Sequence, residues 1–174
     1  MSTAELLVAD AGPLIALARI DALGLLARKN LKVLVPAQVA AECTSQTDRP
    51  GADLIQKAID QGVLQVISPV KDDERVITPG LDEGERTAIT LALARQAVLL
   101  IDDRIGRRQA VALGLTVIGT LGILLSAKRR GEVHAIAPML GQFHAVGYFI
   151  SPALAERALE LAGEAREHSG VKPE

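Results

Sequence analysis

Five short apolar runs, at residues 6–9, 32–35, 64–67, 98–101 and 115–118, are rich in Val, Ile and Leu and are separated by longer stretches of helical periodicity. The runs are continuous rather than alternating. That pattern belongs to strands buried on both faces, as in a parallel sheet, whereas a half-exposed strand alternates. Parallel strands need crossovers, and the helical stretches between the runs supply them. The chain therefore reads as repeated β–α units, an α/β fold around a central parallel sheet.

Local signals place the helices. Pro13 after Gly12 suits a first helical turn, and Pro36 does the same for a short helix carrying Val39, Ala40 and Cys43. Asp82 can cap a helix through Ala88, Ile89, Leu91 and Ala92, with Glu85 at the capping-box position three residues on. Gly62, Gly114 and Gly131 stand where helices can end. Residues 44–51 and 69–80 are polar or charged and irregular, and read as loops. A chain of 174 residues suits one domain, expected over 1–166, with a frayed tail at 167–174.

Composition narrows the function classes. Residues are 49% hydrophobic but only 2% aromatic, so the core must be aliphatic and a stacking platform for bases is not visible. Cys43 is the only cysteine, which excludes an internal disulfide and a cysteine-rich zinc site. The N-terminal residues 1–5 lack the basic region of a signal peptide, and no apolar run is long enough to span a bilayer. A cytoplasmic protein with no membrane partner is expected. The net charge of −2 does not advertise a nucleic-acid binder, although a local basic patch is enough for one.

The acids carry the chemistry. Asp10 ends the first apolar run, and Asp102 and Asp103 follow the fourth. If both runs are parallel strands, these acids lie at carboxyl ends, the edge at which open α/β sheets bind ligands. The plain alternative is that Asp opens loops after strands. Glu42 flanks the apolar face of the helix after Pro36, where it either leans over the sheet edge or is solvated. Glu85 either closes a capping box or points at the strand ends, and spacing alone leaves both open. Acids gathered in one crevice repel unless a cation neutralises them. An oxygen-only ligand set suits Mg²⁺ or Mn²⁺, ions that activate a water and stabilise the leaving oxygen of a phosphodiester.

Four segments resemble the PIN-domain family: residues 8–17 (VADAGPLIAL), 35–42 (VPAQVAAE), 84–92 (GERTAITLA), and 99–104 (LLIDDR) with 113–120 (LGLTVIGT). Later segments, 119–122 (GTLG), 127–131 (AKRRG) and 147–151 (GYFIS), are similar to a prokaryotic PIN-like subfamily known under a domain-of-unknown-function label and related to VapC-type toxins. The resemblance covers nearly the whole chain. It implies a three-layer α/β/α sandwich and Mg²⁺- or Mn²⁺-dependent ribonuclease activity, as in the toxins of toxin–antitoxin modules. It also implies Asp10, Glu42, Glu85 and Asp103 as catalytic metal ligands, with Asp102 able to assist. An antitoxin protein and a homodimer are the implied partners besides RNA. The sequence departs from the family at Ala11, where a Ser or Thr is common, and at Glu85, where Asp is more usual. Ala11 motivates a second reading, a catalytically weak PIN fold that binds RNA or a protein.

Arg104, Arg107 and Arg108, and Lys128, Arg129 and Arg130, are candidate contacts to a nucleic-acid backbone, with solvated helix faces and dipole complementation as the alternatives. His134, His144 and His168 have no ligand-like spacing, and Cys43 reads as a packed thiol.

Overall fold

A computed structural model describes residues 5–77 and 79–165. The strands are β1 (Glu5–Ala9), β2 (Leu31–Pro36), β3 (Leu64–Ile67), β4 (Val98–Leu100) and β5 (Val117–Ile118). They form one parallel sheet in the order β3-β2-β1-β4-β5. The helices are α1 (Ala11–Arg19), α2 (Ala37–Thr44), α3 (Ala52–Asp60), α4 (Glu83–Arg95), α5 (Arg104–Ala112), α6 (Thr120–Arg129), α7 (Ala137–Ala145) and α8 (Pro152–Leu161). A single turn of 3₁₀ helix, Leu23–Leu26, leads from α1 into β2.

The continuous apolar runs are buried as expected: Leu7 to Ala9 of β1 and Val33 to Pro36 of β2 are all buried. The edge strands β3 and β5 are partly exposed, and β5 is shorter than its run because only Val117 and Ile118 pair with β4. From β1 to β3 the chain steps across the sheet one way, and from β3 through β4 to β5 it steps the other way. Right-handed crossovers then put α1 and α3 on one face and α4 and α5 on the other, the three layers of an α/β/α sandwich, while α2 packs against both α1 and α4. The contacts of α1 with α2 and α3, and of α4 with α5, agree with this. Beneath α4 the core is aliphatic, built from Val8, Leu34, Ala88, Ile89, Leu99 and Ile101 among others.

By contact the chain separates into two compact units, Met1–Ile123 and Leu124–Glu174. The sheet and α1 to α5 belong to the first. Within the second, the Glu164 carboxylate accepts from the backbone N–H groups of Ile136 and Ala137 at 2.8 and 2.9 Å and pairs with Lys128 at 2.5 Å. It thereby satisfies two donors at the start of α7. Phe143 and Tyr148 pack with ring centroids 5.1 Å apart. The tail expected to fray, 167–174, lies outside the described residues.

Candidate functional site

The strand order reverses between β1 and β4. Connections on either side of such a point leave to opposite faces, so a crevice opens at the carboxyl ends of the two strands. Asp10 follows β1 and Asp103 stands just past β4, and the Asp10 N–H donates to the Leu100 carbonyl at 3.0 Å, tying the two ends together.

Asp10 is 6% exposed, and although it stands at the start of α1 its carboxylate makes no capping bond there. Burial pushes its carboxyl up to about 7, the Ala11 N–H opposes the shift, and the charges of Glu85, Asp82 and Glu42 add to it. Glu42 reaches the same place from α2: a Cβ added at Gly84 would stand 2.9 Å from its Oε2. Its carboxyl is raised by burial and by Asp82, with Arg49 opposing.

Glu85 closes the capping box that its spacing allowed, and other acids lie near enough to act on it. Its Oε2 accepts from the Asp82 N–H at 3.0 Å while its own N–H donates to Asp82 Oδ1 at 2.8 Å, a complete capping box. Its carboxyl is also raised, first by burial and further by Asp82, Asp103 and Glu42, against the lowering effect of the Asp82 N–H. Asp103 caps α5 through Oδ2, which accepts from the Gly106 N–H at 2.8 Å. The four expected acids therefore share one electrostatic neighbourhood. Asp82 is a fifth member, which sequence reasoning assigned only to the cap. The capping box itself was the available signal, because its reciprocity forces both carboxylates onto one helical turn.

A set of carboxylates gathered in this way, with Asp10, Glu42 and Glu85 raised first by burial and further by neighbouring acids, fits a hard cation such as Mg²⁺, which keeps several waters and takes one or two carboxylates directly. The arrangement is open: among the described residues no three His, Cys, Asp or Glu side chains are drawn into a ready-made cage.

Other candidates are held elsewhere. Asp102 Oδ1 accepts from the Thr120 N–H at 2.8 Å and its Oδ2 from the Thr120 hydroxyl at 2.5 Å, so both oxygens brace the start of α6. Arg107 donates to the Ile101 carbonyl at 2.8 Å, while Arg104 and Arg108 are exposed on α5. In the second unit Lys128 pairs with Glu164, Arg130 with Glu132 and the Ser126 hydroxyl, and Arg129 is exposed. Arg107, Lys128 and Arg130 thus already carry structural contacts. Cys43 is buried, and burial with the charges of Glu42 and Asp10 pushes its thiol up to about 12, which makes it inert packing. Of the histidines, His168 lies outside the described residues. No helix among the described residues is long and apolar enough to cross a membrane.

The chain is similar to a PilT N-terminus domain protein, SSO1118, from the hyperthermophilic archaeon Sulfolobus solfataricus P2, with 23% identity, a TM-score of 0.55 and coverage of 70% of this chain and 92% of that one. That likeness speaks to the fold. A domain of a functionally unknown protein from Methanocaldococcus jannaschii DSM 2661 is more distant, at 15% identity and a TM-score of 0.43, covering 67% of this chain and 91% of that one. No curated protein matches the chain. The family model that matches, over residues 6–164, is described as a PIN domain. With that match spanning nearly all of a chain that has the PIN-like parallel sandwich, the protein belongs to the PIN-domain family.

Proposed function

We propose that this protein is a Mg²⁺- or Mn²⁺-dependent ribonuclease whose ion is held by Asp10, Glu42, Glu85 and Asp103. PIN domains are generally nucleases, which supports a nuclease-like role. The observation that carries the finer reading is the gathering of acids from separate segments: Asp10 and Glu85 are both raised, first by burial and further by Asp82 and Glu42, with Glu85 adding to the shift of Asp10 and Asp103 to that of Glu85. Bound metal would supply an activated water and neutralise charge on the leaving oxygen of the phosphodiester. The protein's own contribution is to hold the carboxylates. Glu85 and Asp103 each keep one oxygen on a backbone N–H at a helix start, which fixes their positions. Asp10 is fixed by burial between strand ends. Arg104 and Arg108, exposed one turn apart on α5, suit contacts to the RNA backbone. In this reading residues 1–166 act as one PIN-like domain in the cytoplasm, as a homodimer, with an antitoxin as a possible protein partner.

Ala11 favours a second reading. It is buried and offers no hydroxyl to the metal shell, which fits a catalytically weak module that binds RNA or a protein. Incubation of the purified protein with single-stranded RNA decides between them. Cleavage that needs Mn²⁺ or Mg²⁺ and disappears with EDTA and in Asp10→Asn supports the nuclease. RNA retained intact and bound equally by both proteins supports the weak module.

A further inference from the structure

On the β3 side of the same sheet edge a cavity of about 350 Å³ opens between the ends of β2 and β3 and the first turns of α4. Its floor is apolar and largely buried, with Pro36, Ile67 and Leu91. Its mouth carries exposed polar groups: Gln38, Ser68, Asp72, Glu83 and Arg86. A pocket of this size, apolar beneath and sparsely polar above, suits a small heterocycle.

The cavity adjoins the acids. Gln38 and Glu42 are four residues apart on α2 and therefore share a face one turn, roughly 6 Å, apart. Glu83 and Arg86 flank Glu85 in the first turn of α4. A nucleic acid with a phosphate at the acids would bring a neighbouring base to this opening.

The charge of the lining argues for a base and against a phosphate. Asp72 and Glu83 outnumber Arg86, so an anion would be repelled. Carboxylates only accept hydrogen bonds: an exocyclic amine offers them two N–H donors, whereas the one N–H on the pairing edge of uracil is flanked by two carbonyl oxygens that they repel. The Gln38 amide lies 3.5 Å from Glu83 Oε2, a weak bond that a base edge can replace. No aromatic side chain lines the cavity, but the guanidinium plane of Arg86 offers a stacking surface of the kind used for unpaired RNA bases.

We infer that this cavity binds one unpaired nucleobase beside the scissile phosphate and prefers bases with an exocyclic amine, namely guanine, adenine and cytosine, to uracil. The inference rests on the nuclease reading above and deepens it by naming a specificity subsite.

Nucleosides test it without metal or catalysis. Chemical-shift titration of the full chain in EDTA with guanosine, adenosine, cytidine and uridine should perturb residues 36–38, 67–72 and 83–91. Affinity for the amine-bearing nucleosides should exceed that for uridine by on the order of tenfold, the discrimination expected of a well-made pair of bonds to a base edge. Glu83→Gln, which adds a donor at an exposed position, should shift the preference toward uridine, and Gln38→Trp should close the mouth and abolish binding. Oligonucleotides that differ in one base should show the same preference in metal-dependent cleavage. RNA cleavage with no nucleoside binding and no base preference would overturn the subsite and leave the nuclease reading standing. Selective nucleoside binding without RNA cleavage would uphold the subsite and overturn the nuclease reading.

Discussion

Glu42 occupies the space that a side chain at Gly84 would take, with Oε2 standing 2.9 Å from where a Cβ at position 84 would lie. Asp82 Oδ1 is 3.3 Å from the same point. The absence of a side chain at the second residue of α4 is thus what lets the acid of α2 close on the acids of α4. Gly84→Ala tests this. Alanine is the better helix former by about 1 kcal/mol, and the crowded atom is the end of a flexible side chain, so stability in urea should change by no more than about 1 kcal/mol. The Glu42 carboxylate must swing out, however, and metal affinity should fall roughly tenfold or more, as when a supporting group of a metal site is lost. Unchanged Mn²⁺ affinity in a well-folded Gly84→Ala protein would separate Glu42 from the site.

Burial of Asp10 makes metal-free stability depend on pH in a defined direction. An acid raised from 3.8 to about 7 keeps its proton in the folded protein after the unfolded chain has lost it. Its contribution is therefore neutral below pH 4, grows unfavourable between pH 4 and 7, and is constant above. The full penalty is at most roughly 4 kcal/mol. Asp10→Asn should melt well above the parent at pH 8 in EDTA and close to it at pH 4. A difference in melting temperature that is the same at both pH values would show that Asp10 is not held protonated by its surroundings.

The parts of this molecule legible in its sequence are those governed by one segment at a time. The runs at 6–9 and 98–101 marked buried strands, and once they are parallel neighbours Asp10 and Asp103 must share an edge. The capping box of Asp82 and Glu85 was equally local. What spacing could not settle was orientation, because Glu85 uses one carboxylate both for the box and for the cluster. Spacing likewise left Asp102 only able to assist, because nothing local to residues 102 and 103 shows that the fold brings Thr120 to meet the Asp102 carboxylate. The cavity joins residues 36–38, 67–72 and 83–91, three segments with no common pattern, and so left no trace in the sequence.

Metal should stabilise the folded protein by mass action. At Mn²⁺ one hundred times the dissociation constant the gain is about 2.7 kcal/mol, equivalent to a rise of roughly 5–10 °C in a chain of this size. The rise should shrink at pH 5, where protons compete for the raised carboxylates Asp10, Glu42 and Glu85. Scanning fluorimetry of the parent and Asp10→Asn with and without Mn²⁺ measures it. An equal rise in both proteins would place the ion elsewhere.

Asp102 offers a test that separates a strut from a ligand. Its two oxygens meet the N–H and hydroxyl of Thr120, which is 1% exposed, and a Cβ at Gly119 would come within 2.8 Å of Oδ1. Thr120→Val keeps the shape and removes the hydroxyl, leaving Oδ2 without that donor. The cost should be about 1–3 kcal/mol in urea unfolding, the range for losing one hydrogen bond to a charged group. Because Asp103 is the next residue, slackening this brace should also weaken Mn²⁺ binding in Thr120→Val, although Thr120 lies outside the proposed ligand set. If Asp102→Asn instead leaves unfolding unchanged and abolishes the Mn²⁺ response outright, Asp102 is a ligand and the brace is incidental.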